Sequence, residues 1–441
     1  MDRRRRSGVA CGGHWVGPGQ RRYHDGVIVN PGSERLHART VAIDDPGNLE
    51  RYLEARGAQA FLRRGDGVIG LGEVARFSGD TPQAADEWWN DFCERVENET
   101  ELLGVSGTGP LAFGSFTFDP ANSTQQSSLV VPQLVLGRRR GQCWMTRIGH
   151  GDLLDEMPPL QGEPAAPGAV ELQDGSQPPE QWCATVAELV SLIRAGEVSK
   201  VVLARDLVAR TEQPLDPRWL VNQLVNRYRD CWTYLVDDMV GASPEMLVRT
   251  EGGLAASRVL AGTVRRPLTA DANELAGVLT GSAKDMREHE FAVESVARAL
   301  EPFCTGMNVP DSPFVLELPN VLHLATDITG VVRPGTSSLA LAGALHPSAA
   351  VCGTPTDVAR GLIASLEDLD RGRYAGPVGW IDTAGDGEWA IALRGGQLDA
   401  ADQQRIRLFA GCGIVRESVP AEELTETEAK FAPMRQALLG D

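Results

Sequence analysis

Residues 378–409, VGWIDTAGDGEWAIALRGGQLDAADQQRIRLF, contain three strand-like segments in succession, at 378–381, 389–393 and 405–409. Further short strands are predicted at 200–204, 234–236 and 246–248, where β-branched and other apolar residues are enriched. Strands outnumber helices and do not alternate with them along the chain. The pattern therefore predicts an α+β fold in which large antiparallel sheets are layered with helices.

The chain divides into three parts by sequence pattern. Residues 1–40 are rich in Gly, Arg and His without hydrophobic periodicity, which predicts a disordered N-terminal extension. Residues 41–165 predict an N-terminal α+β portion of the same body, with one amphipathic helix over 84–103. Residues 157–182 hold six prolines and predict a surface connection. The third part, residues 180–437, has the denser pattern, and helices are predicted there at 181–194, 282–300 and 420–439.

Composition excludes several classes of protein. The 441 residues include 60 acidic and 42 basic side chains, a formal net charge of −18. This charge argues against a nucleic-acid or anionic-membrane partner, because both require a cationic face. No uncharged apolar run is long enough to span a bilayer, and no apolar stretch follows the basic N-terminus, so a cytoplasmic location is expected. The eight cysteines are scattered without a Cys-x-x-Cys pair, which predicts neither a disulfide framework nor a structural zinc site.

Two predicted helices carry paired carboxylates. Asp285 and Glu288 are three residues apart and share a helix face, as do Glu423 and Glu426, with Lys430 four residues further on. Carboxylates from two helices could together hold a hard cation such as Mg²⁺. Spacing alone favours the alternative that these are solvated helix faces that carry ordinary ion pairs.

Three further residues are candidates for chemistry. Lys200 begins an apolar strand, so it is either a strand terminus or a partly desolvated amine that acts as a base. Glu245 follows a Ser-Pro turn and could be an acid that its surroundings keep protonated. Arg394 stands where a strand ends and could bind a substrate carboxylate or pair with a surface acid.

Ten segments in their order along the chain resemble the chorismate-utilising enzymes, most closely the isochorismate synthases. They begin with KVVLAR at 200–205, GASPEMLVR at 241–249 and LAGT at 260–263, followed by SAKDMREHE at 282–290 and VLHLAT at 321–326. The later ones are LHPSAAVCG at 345–353, YAGPVGW at 374–380, Arg394, GCG at 411–413 and ELTET at 423–427. The resemblance covers residues 180–435, with a weaker match at 113–119, and it implies that residues 180–437 form a chorismate-binding catalytic domain.

This resemblance implies a role for each matching residue. Glu288 and Glu426 would hold one Mg²⁺ with the ring carboxylate of chorismate, and Glu423 and Asp285 would lie beside them, as a metal ligand and a substrate-binding residue. Lys200 would be the base that activates water for attack at C2, and Glu245 the acid that protonates the leaving C4 hydroxyl. The remaining substrate-binding residues would be Gly262, Thr263, His323, His346, Tyr374, Arg394, Gly411 and Gly413.

The branch of the family follows from a few positions. Lys200 is present and residue 261 is Ala, which favours water over ammonia as the nucleophile, so no amidotransferase subunit is expected. The His346-Pro347 pair favours isochorismate synthase. Salicylate synthase, which also eliminates pyruvate, and a non-catalytic binding subunit remain alternatives. The expected partner is chorismate, and the expected assembly is a monomer or weak homodimer. The pathway is menaquinone, siderophore or salicylate biosynthesis.

Overall fold

The protein is built from many short strands and fewer helices. The computed structural model describes residues 35–265, 272–317 and 321–440. The strands are β1 (Leu36–Ala42), β2 (Gln59–Arg63), β3 (Asp66–Leu71), β4 (Ala75–Gly79), β5 (Val96–Thr100), β6 (Leu111–Ser115), β7 (Ser127–Val131), β8 (Leu134–Arg139), β9 (Gln142–Gly149), β10 (Val170–Asp174), β11 (Lys200–Thr211), β12 (Trp232–Val236), β13 (Met239–Ser243), β14 (Met246–Glu251), β15 (Leu254–Arg265), β16 (Cys304–Asn308), β17 (Phe314–Glu317), β18 (Val321–Val332), β19 (Gly353–Thr354), β20 (Pro377–Asp382), β21 (Gly387–Ile391), β22 (Gly395–Leu398) and β23 (Arg405–Ile414). The helices are α1 (Pro82–Cys93), α2 (Pro179–Ala195), α3 (Pro217–Arg227), α4 (Ala272–Gly281), α5 (Ala283–Leu300), α6 (Ser338–Leu345), α7 (Thr356–Leu366) and α8 (Pro420–Leu439).

Two sheets organise these strands. The larger has the order β10-β11-β23-β22-β13-β12-β2-β3-β8-β9-β1-β5, with β19 beside β11. The smaller has the order β16-β18-β15-β14-β21-β20-β6-β7-β4, with β17 beside β18. Adjacent strands are antiparallel except β1 and β5, which are parallel. The predicted α+β fold with large antiparallel sheets is confirmed.

The two sheets share one apolar core. Phe61 and Trp144 from the larger sheet pack with Phe113, Trp380 and Val378 from the smaller sheet, and all five are buried. Because strand side chains alternate between faces, each strand supplies only part of its residues to this core. The other faces pack against helices; α2, for example, buries Trp182, Val186 and Leu189.

The helix ends follow from local sequence. Helix α8 begins with Pro420, which is tolerated in the first turn because its missing N–H would have no helical partner. It ends at Gly440, whose φ of 74° is a left-handed conformation that glycine adopts without steric cost. The predicted helix over 420–439 is thus confirmed, and the helices predicted over 181–194 and 282–300 also match within two residues.

Three sequence-based predictions need correction. Helix α1 stops at Cys93, and the second half of the helix predicted over 84–103 is strand β5, because tertiary pairing with β1 stabilises its extended form. Part of the predicted surface connection is β10, an edge strand beside β11. Strand β1 begins at Leu36, inside the predicted extension, whose residues 1–34 lie outside the described residues.

Seven cysteines lie in the described ranges and all are free thiols. Within the same ranges, no helix has the length and apolar character needed to cross a membrane.

Candidate active site

A cavity of about 1290 Å³ opens beside the ends of β11 and β23. Its wall brings together residues that are far apart in sequence. Those predicted from the sequence that line it are Lys200, Glu245, Gly262, His323, Tyr374, Arg394, Gly411 and Gly413. The candidate base, the candidate acid and most of the predicted substrate-binding positions therefore line the same cavity.

Strand pairing determines the surroundings of Lys200. It is the first residue of β11, which runs antiparallel to β23 and pairs Val202 with Gly413 and Ala204 with Gly411. A Cβ at Gly413 would lie 2.7 Å from Cε of Lys200, which is closer than carbon atoms approach without overlap. Glycine at 413 is therefore required for the Lys200 side chain to lie across β23.

Glu245 lies in the turn between β13 and β14. Its backbone N–H donates to Oγ of Ser243 at 3.3 Å, and that hydroxyl donates to the carbonyl of Ile391 at 2.6 Å. Burial raises the pKa of the Glu245 carboxyl, while the positive charges of Lys200, Arg394 and Lys430 oppose the shift. Because desolvation is the larger effect, the protonated acid is favoured over a wider pH range than for an exposed glutamate.

Tyr374 and Arg394 occupy turns that the surrounding structure holds rigidly. The Tyr374 ring stacks on Phe409 of β23, with centroids 4.9 Å apart and an interplanar angle of 11°. Arg394 has a φ of 50°, and Ala375, next to Tyr374, has a φ of 63°. Left-handed backbone is unfavourable for residues with a Cβ and is enriched at functional sites. Burial raises the pKa of the Tyr374 phenol and lowers the pKa of the Arg394 guanidinium.

Helix α8 reaches the cavity through Lys430. Its Nζ donates to the carbonyl of Gly411 at 2.7 Å and forms an ion pair with Oε1 of Glu426 at 2.8 Å. Glu423 and Glu426 are half-buried and do not themselves line the cavity. The sequence shows that Lys430 is four residues after Glu426, but it predicts no role for Lys430. Spacing alone does not show which face of a helix meets a cavity.

The predicted residues on β15 and α5 are only partly described. Thr263 lies in β15, and Asp285 and Glu288 lie in α5, but their side chains lie outside the described part of the structure. Among the side chains that are described, no group of three or more His, Cys, Asp or Glu gathers where it could hold a metal ion. The predicted ligand set therefore stays a prediction.

His346 is the predicted site residue that turns away from the cavity. Leu345 and Pro347 line the cavity, but His346 does not. Its Nε2 lies 2.9 Å from the carbonyl oxygen of Phe118, and the two rings meet edge to face. Burial lowers the pKa of His346 to about 4, so the ring is neutral near pH 7. The prediction that His346 contacts substrate does not agree with this position, because the ring fastens its loop to the N-terminal part of the chain.

His323 does face the cavity. It lies on β18 opposite Thr263, where the strand pairing contains an irregularity next to Gly262. Burial lowers the pKa of His323, although a hydrogen bond with the Gly262 backbone opposes the shift. A neutral imidazole is therefore available in this part of the wall.

The charge of the wall is opposite to that of the chain. Among the described lining residues, the cationic ones are Lys200, Arg258, Arg371, Arg394, Arg416 and Lys430, and the acidic ones are Glu245 and Glu417. The whole chain carries −18. Low-dielectric walls with an excess of one charge attract ligands of the opposite sign, so the cavity is suited to an anionic ligand.

Comparison with known proteins agrees with this fold and charge. A family model described as "Chorismate binding enzyme" matches residues 38–439. The isochorismate synthase MenF of Bacillus subtilis is 30% identical over 410 residues, covering 85% of this chain and 86% of the relative. The salicylate biosynthesis isochorismate synthase of Pseudomonas aeruginosa is 36% identical over 380 residues, covering 78% of each.

A solved structure shows the same architecture. The menaquinone-specific isochorismate synthase MenF of Escherichia coli superposes with a TM-score of 0.74, at 24% identity, covering 92% of this chain and 95% of the other. The chain belongs to the chorismate-binding enzymes, which confirms the resemblance seen in the sequence. The two relatives from Bacillus subtilis and Pseudomonas aeruginosa, which the chain matches over most of their length, are both isochorismate synthases.

Proposed function

We propose that this chain isomerises chorismate to isochorismate. Water would add at C2 of the ring and the C4 hydroxyl would leave, so the product has the same composition as the substrate. The observation that carries this proposal is one cavity, with mostly cationic charged residues in its lining, that is bordered by both an amine, Lys200, and a carboxyl with a raised pKa, Glu245. The activity of the full-length relatives supports the same reaction.

Proton transfer accounts for the two catalytic residues. Water is a poor nucleophile, so Lys200 would accept a proton from water as its oxygen bonds to C2. Hydroxide is a poor leaving group, so Glu245 would donate its proton as the C4–O bond breaks, and a second water leaves. Desolvation of Glu245 favours the protonated form that this step requires. Solvent exchange then returns one proton to Glu245 and removes one from Lys200.

Substrate orientation would depend on the cationic wall. Chorismate carries two carboxylates, and Arg394 with the Tyr374 hydroxyl would bind the carboxylate of the enolpyruvyl group. The backbone amides near Gly411 and Gly413 would add hydrogen bonds, and His323 and Thr263 would border the ring. Burial of Arg394 strengthens its attraction for an anion, because the interior screens charge less than water does.

A magnesium ion completes the proposal. Glu288 and Glu426 would hold it, with Glu423 and Asp285 beside them, and these donors fit because Mg²⁺ prefers carboxylate oxygens. Bound Mg²⁺ would supply positive charge for the ring carboxylate. Lys430, paired with Glu426 at 2.8 Å, holds one of these carboxylates in place at the cavity edge.

Removal of the metal tests this assignment. Excess EDTA should abolish turnover, because Glu288, Glu426 and the substrate carboxylate would then repel one another. Readdition of Mg²⁺ should restore it, and a steady-state assay before and after readdition measures both. Full turnover in excess EDTA would contradict the metal assignment.

Product analysis tests the reaction itself. Purified protein is incubated with chorismate and Mg²⁺ in ammonia-free buffer. The products are separated by chromatography, and their molecular masses are measured by mass spectrometry. A new compound of unchanged mass is expected. Salicylate with pyruvate would indicate salicylate synthase, product only with added ammonium salt would indicate amine transfer, and no product from folded protein would indicate a binding subunit.

A further inference from the structure

Strand β11 has a gap along the edge opposite β23. On that edge β19 pairs with Lys200 and Val201, and β10 pairs only from Leu207 onward. Between them, Val202 donates its N–H to the carbonyl of Cys352 at 2.8 Å. The carbonyl of Ala204 accepts from the indole N–H of Trp182 at 3.0 Å. Side chains and a loop thus replace the missing strand.

A buried ion pair fills the rest of this gap. Arg371 and Glu367 form two parallel hydrogen bonds of 2.6 and 2.7 Å, and their side chains are 3% and 1% exposed. The Glu367 carboxylate also accepts the N–H of Ala204 at 2.7 Å. Arg371 also donates to the carbonyl of Val202 at 2.8 Å. The pair therefore satisfies the Val202 carbonyl and the Ala204 N–H, the two backbone groups in this gap that neither the Cys352 carbonyl nor Trp182 reaches.

Arg371 contacts two other parts of the cavity wall, one through its guanidinium and one through its backbone. The guanidinium donates to the carbonyl of Val351 at 3.0 Å, in the loop that follows His346. The backbone carbonyl of Arg371 accepts the N–H of Tyr374 at 2.9 Å. Through its side chain Arg371 thus ties the strand that begins with Lys200 and the loop at 347–351 to the turn in which Arg371 and Tyr374 themselves lie.

We propose that Arg371, held by Glu367, is a positioning residue that fixes the distance between Lys200 and Tyr374. The inference rests on the proposed function, in which these two residues act on opposite ends of one substrate. Arg371 borders the cavity, but its hydrogen bonds occupy four of the five N–H groups of a guanidinium. It therefore acts through the wall that it holds together.

Geometry explains why this position requires arginine. A guanidinium is a planar fork that reaches several acceptors in fixed directions, whereas an ammonium group is a point charge on a flexible chain. Lysine at 371 would keep the positive charge beside Glu367. It could not donate hydrogen bonds to Glu367, Val202 and Val351 in the same arrangement. Small displacements of reacting groups reduce rates strongly, so loss of the fork should affect turnover more than folding.

The test compares Arg371→Lys with Arg205→Lys. Arg205 lies on β11, the strand that Arg371 contacts. Its side chain is 1% exposed and forms an ion pair with Glu428 at 2.6 Å. None of its hydrogen-bond partners lines the cavity. We expect R371K to lower kcat by about tenfold and raise KM several-fold, while R205K changes both by less than about twofold at a comparable loss of thermal stability.

A double-mutant cycle with Tyr374→Phe separates positioning from stability. If Arg371 acts through the Tyr374 turn, Y374F should raise KM less in the R371K background than in the wild type. Equal effects in both backgrounds, or R371K kinetics like those of R205K, would overturn the inference. Should R371K fail to fold, Glu367→Gln is measured in the same way, because its amide oxygen can still accept from Ala204. Wild-type protein that makes no isochorismate would instead overturn the proposed function, and the inference with it.

Discussion

Residues 36–149 and residues 199–433 build the same two sheets but contribute differently to the cavity. The first region supplies β1 to β9, which extend both sheets and share their core. Every described residue that lines the cavity belongs to the second region. The first region reaches the site indirectly, through Phe118, which contacts His346 and lies under the guanidinium of Arg371. The first region therefore contributes to the sheets and their core, whereas the second contributes to the sheets and also supplies the cavity lining.

Replacement of Lys200 tests the largest difference between the two regions. Lys200→Ala should reduce kcat by about 10²–10⁴-fold, the contribution typical of a general base, with little effect on folding. Steady-state kinetics and circular dichroism measure the two effects. Arg210→Ala, at the exposed far end of the same strand, is the matched control and should retain normal turnover. Unchanged turnover in the Lys200 variant would favour a non-catalytic protein.

Replacement of Glu245 tests whether its carboxyl is the proton donor. Glu245→Gln keeps the shape of the side chain but cannot donate the proton, so kcat should fall by about 10²-fold or more. Wild-type kcat should also fall at high pH, as Glu245 loses its proton. A variant with normal kcat across this pH range would exclude Glu245 as the acid.

The same variant makes a prediction about stability. Burial raises the pKa of Glu245, so the folded state binds this proton more tightly than the unfolded chain. The resulting stabilisation is complete below the ordinary glutamate pKa and is lost as the pH rises through the raised value. As the pH rises from the ordinary glutamate pKa of about 4 through the raised pKa of the folded state, Glu245→Gln should therefore lose less unfolding free energy than the wild type, as urea denaturation at each pH would show.

Replacement of Tyr374 should have an intermediate effect. Tyr374→Phe removes the hydroxyl but preserves the stacking on Phe409, so KM should rise by about tenfold, the value of one hydrogen bond to a charged group. Titration of the initial rate with chorismate measures it. Tyr234→Phe is a useful control, because that hydroxyl is buried and donates to the carbonyl of Leu393 instead. An unchanged KM in Y374F would show that Tyr374 does not bind the substrate.

Replacement in the first region should give the smallest effect on catalysis. Phe113→Leu leaves a small cavity between the sheets and should lower the unfolding free energy by about 1–2 kcal/mol. Because Phe113 is outside the cavity wall, kcat/KM of the folded protein should stay within about twofold of the wild type. A larger loss of kcat/KM in a variant that is fully folded would show that the first region does contribute to catalysis.

Local sequence was sufficient to predict the bounds of a helix whose ends carry residues typical of helix starts and stops. Helix α8 has proline at its start and glycine after its end, and its predicted bounds match the structure. The helix predicted over 84–103 failed for the opposite reason. Its second half pairs with β1, whose residues lie about 60 positions earlier, and no local pattern encodes that pairing.

The site shows the same division. The ordered motifs predicted that Lys200, Glu245, Tyr374 and Arg394 are site residues. All four line one cavity. His346 came from the same motifs, yet its ring turns toward Phe118, because a motif gives the position of a residue and not the direction of its side chain. Arg371 and Glu367 were missed, since their four-residue spacing has no meaning outside a helix, and α7 ends at Leu366.

Composition, periodicity and ordered motifs are properties of the chain alone, so they were enough to predict the α+β class, the family and the chemically capable residues. Which of those residues meet depends on how remote segments pack. The antiparallel pairing of β11 with β23 sets Lys200 against Gly413, and burial of the Glu245 turn raises the pKa of that carboxyl. Distance and desolvation arise when remote segments pack together, so they are fixed by the fold.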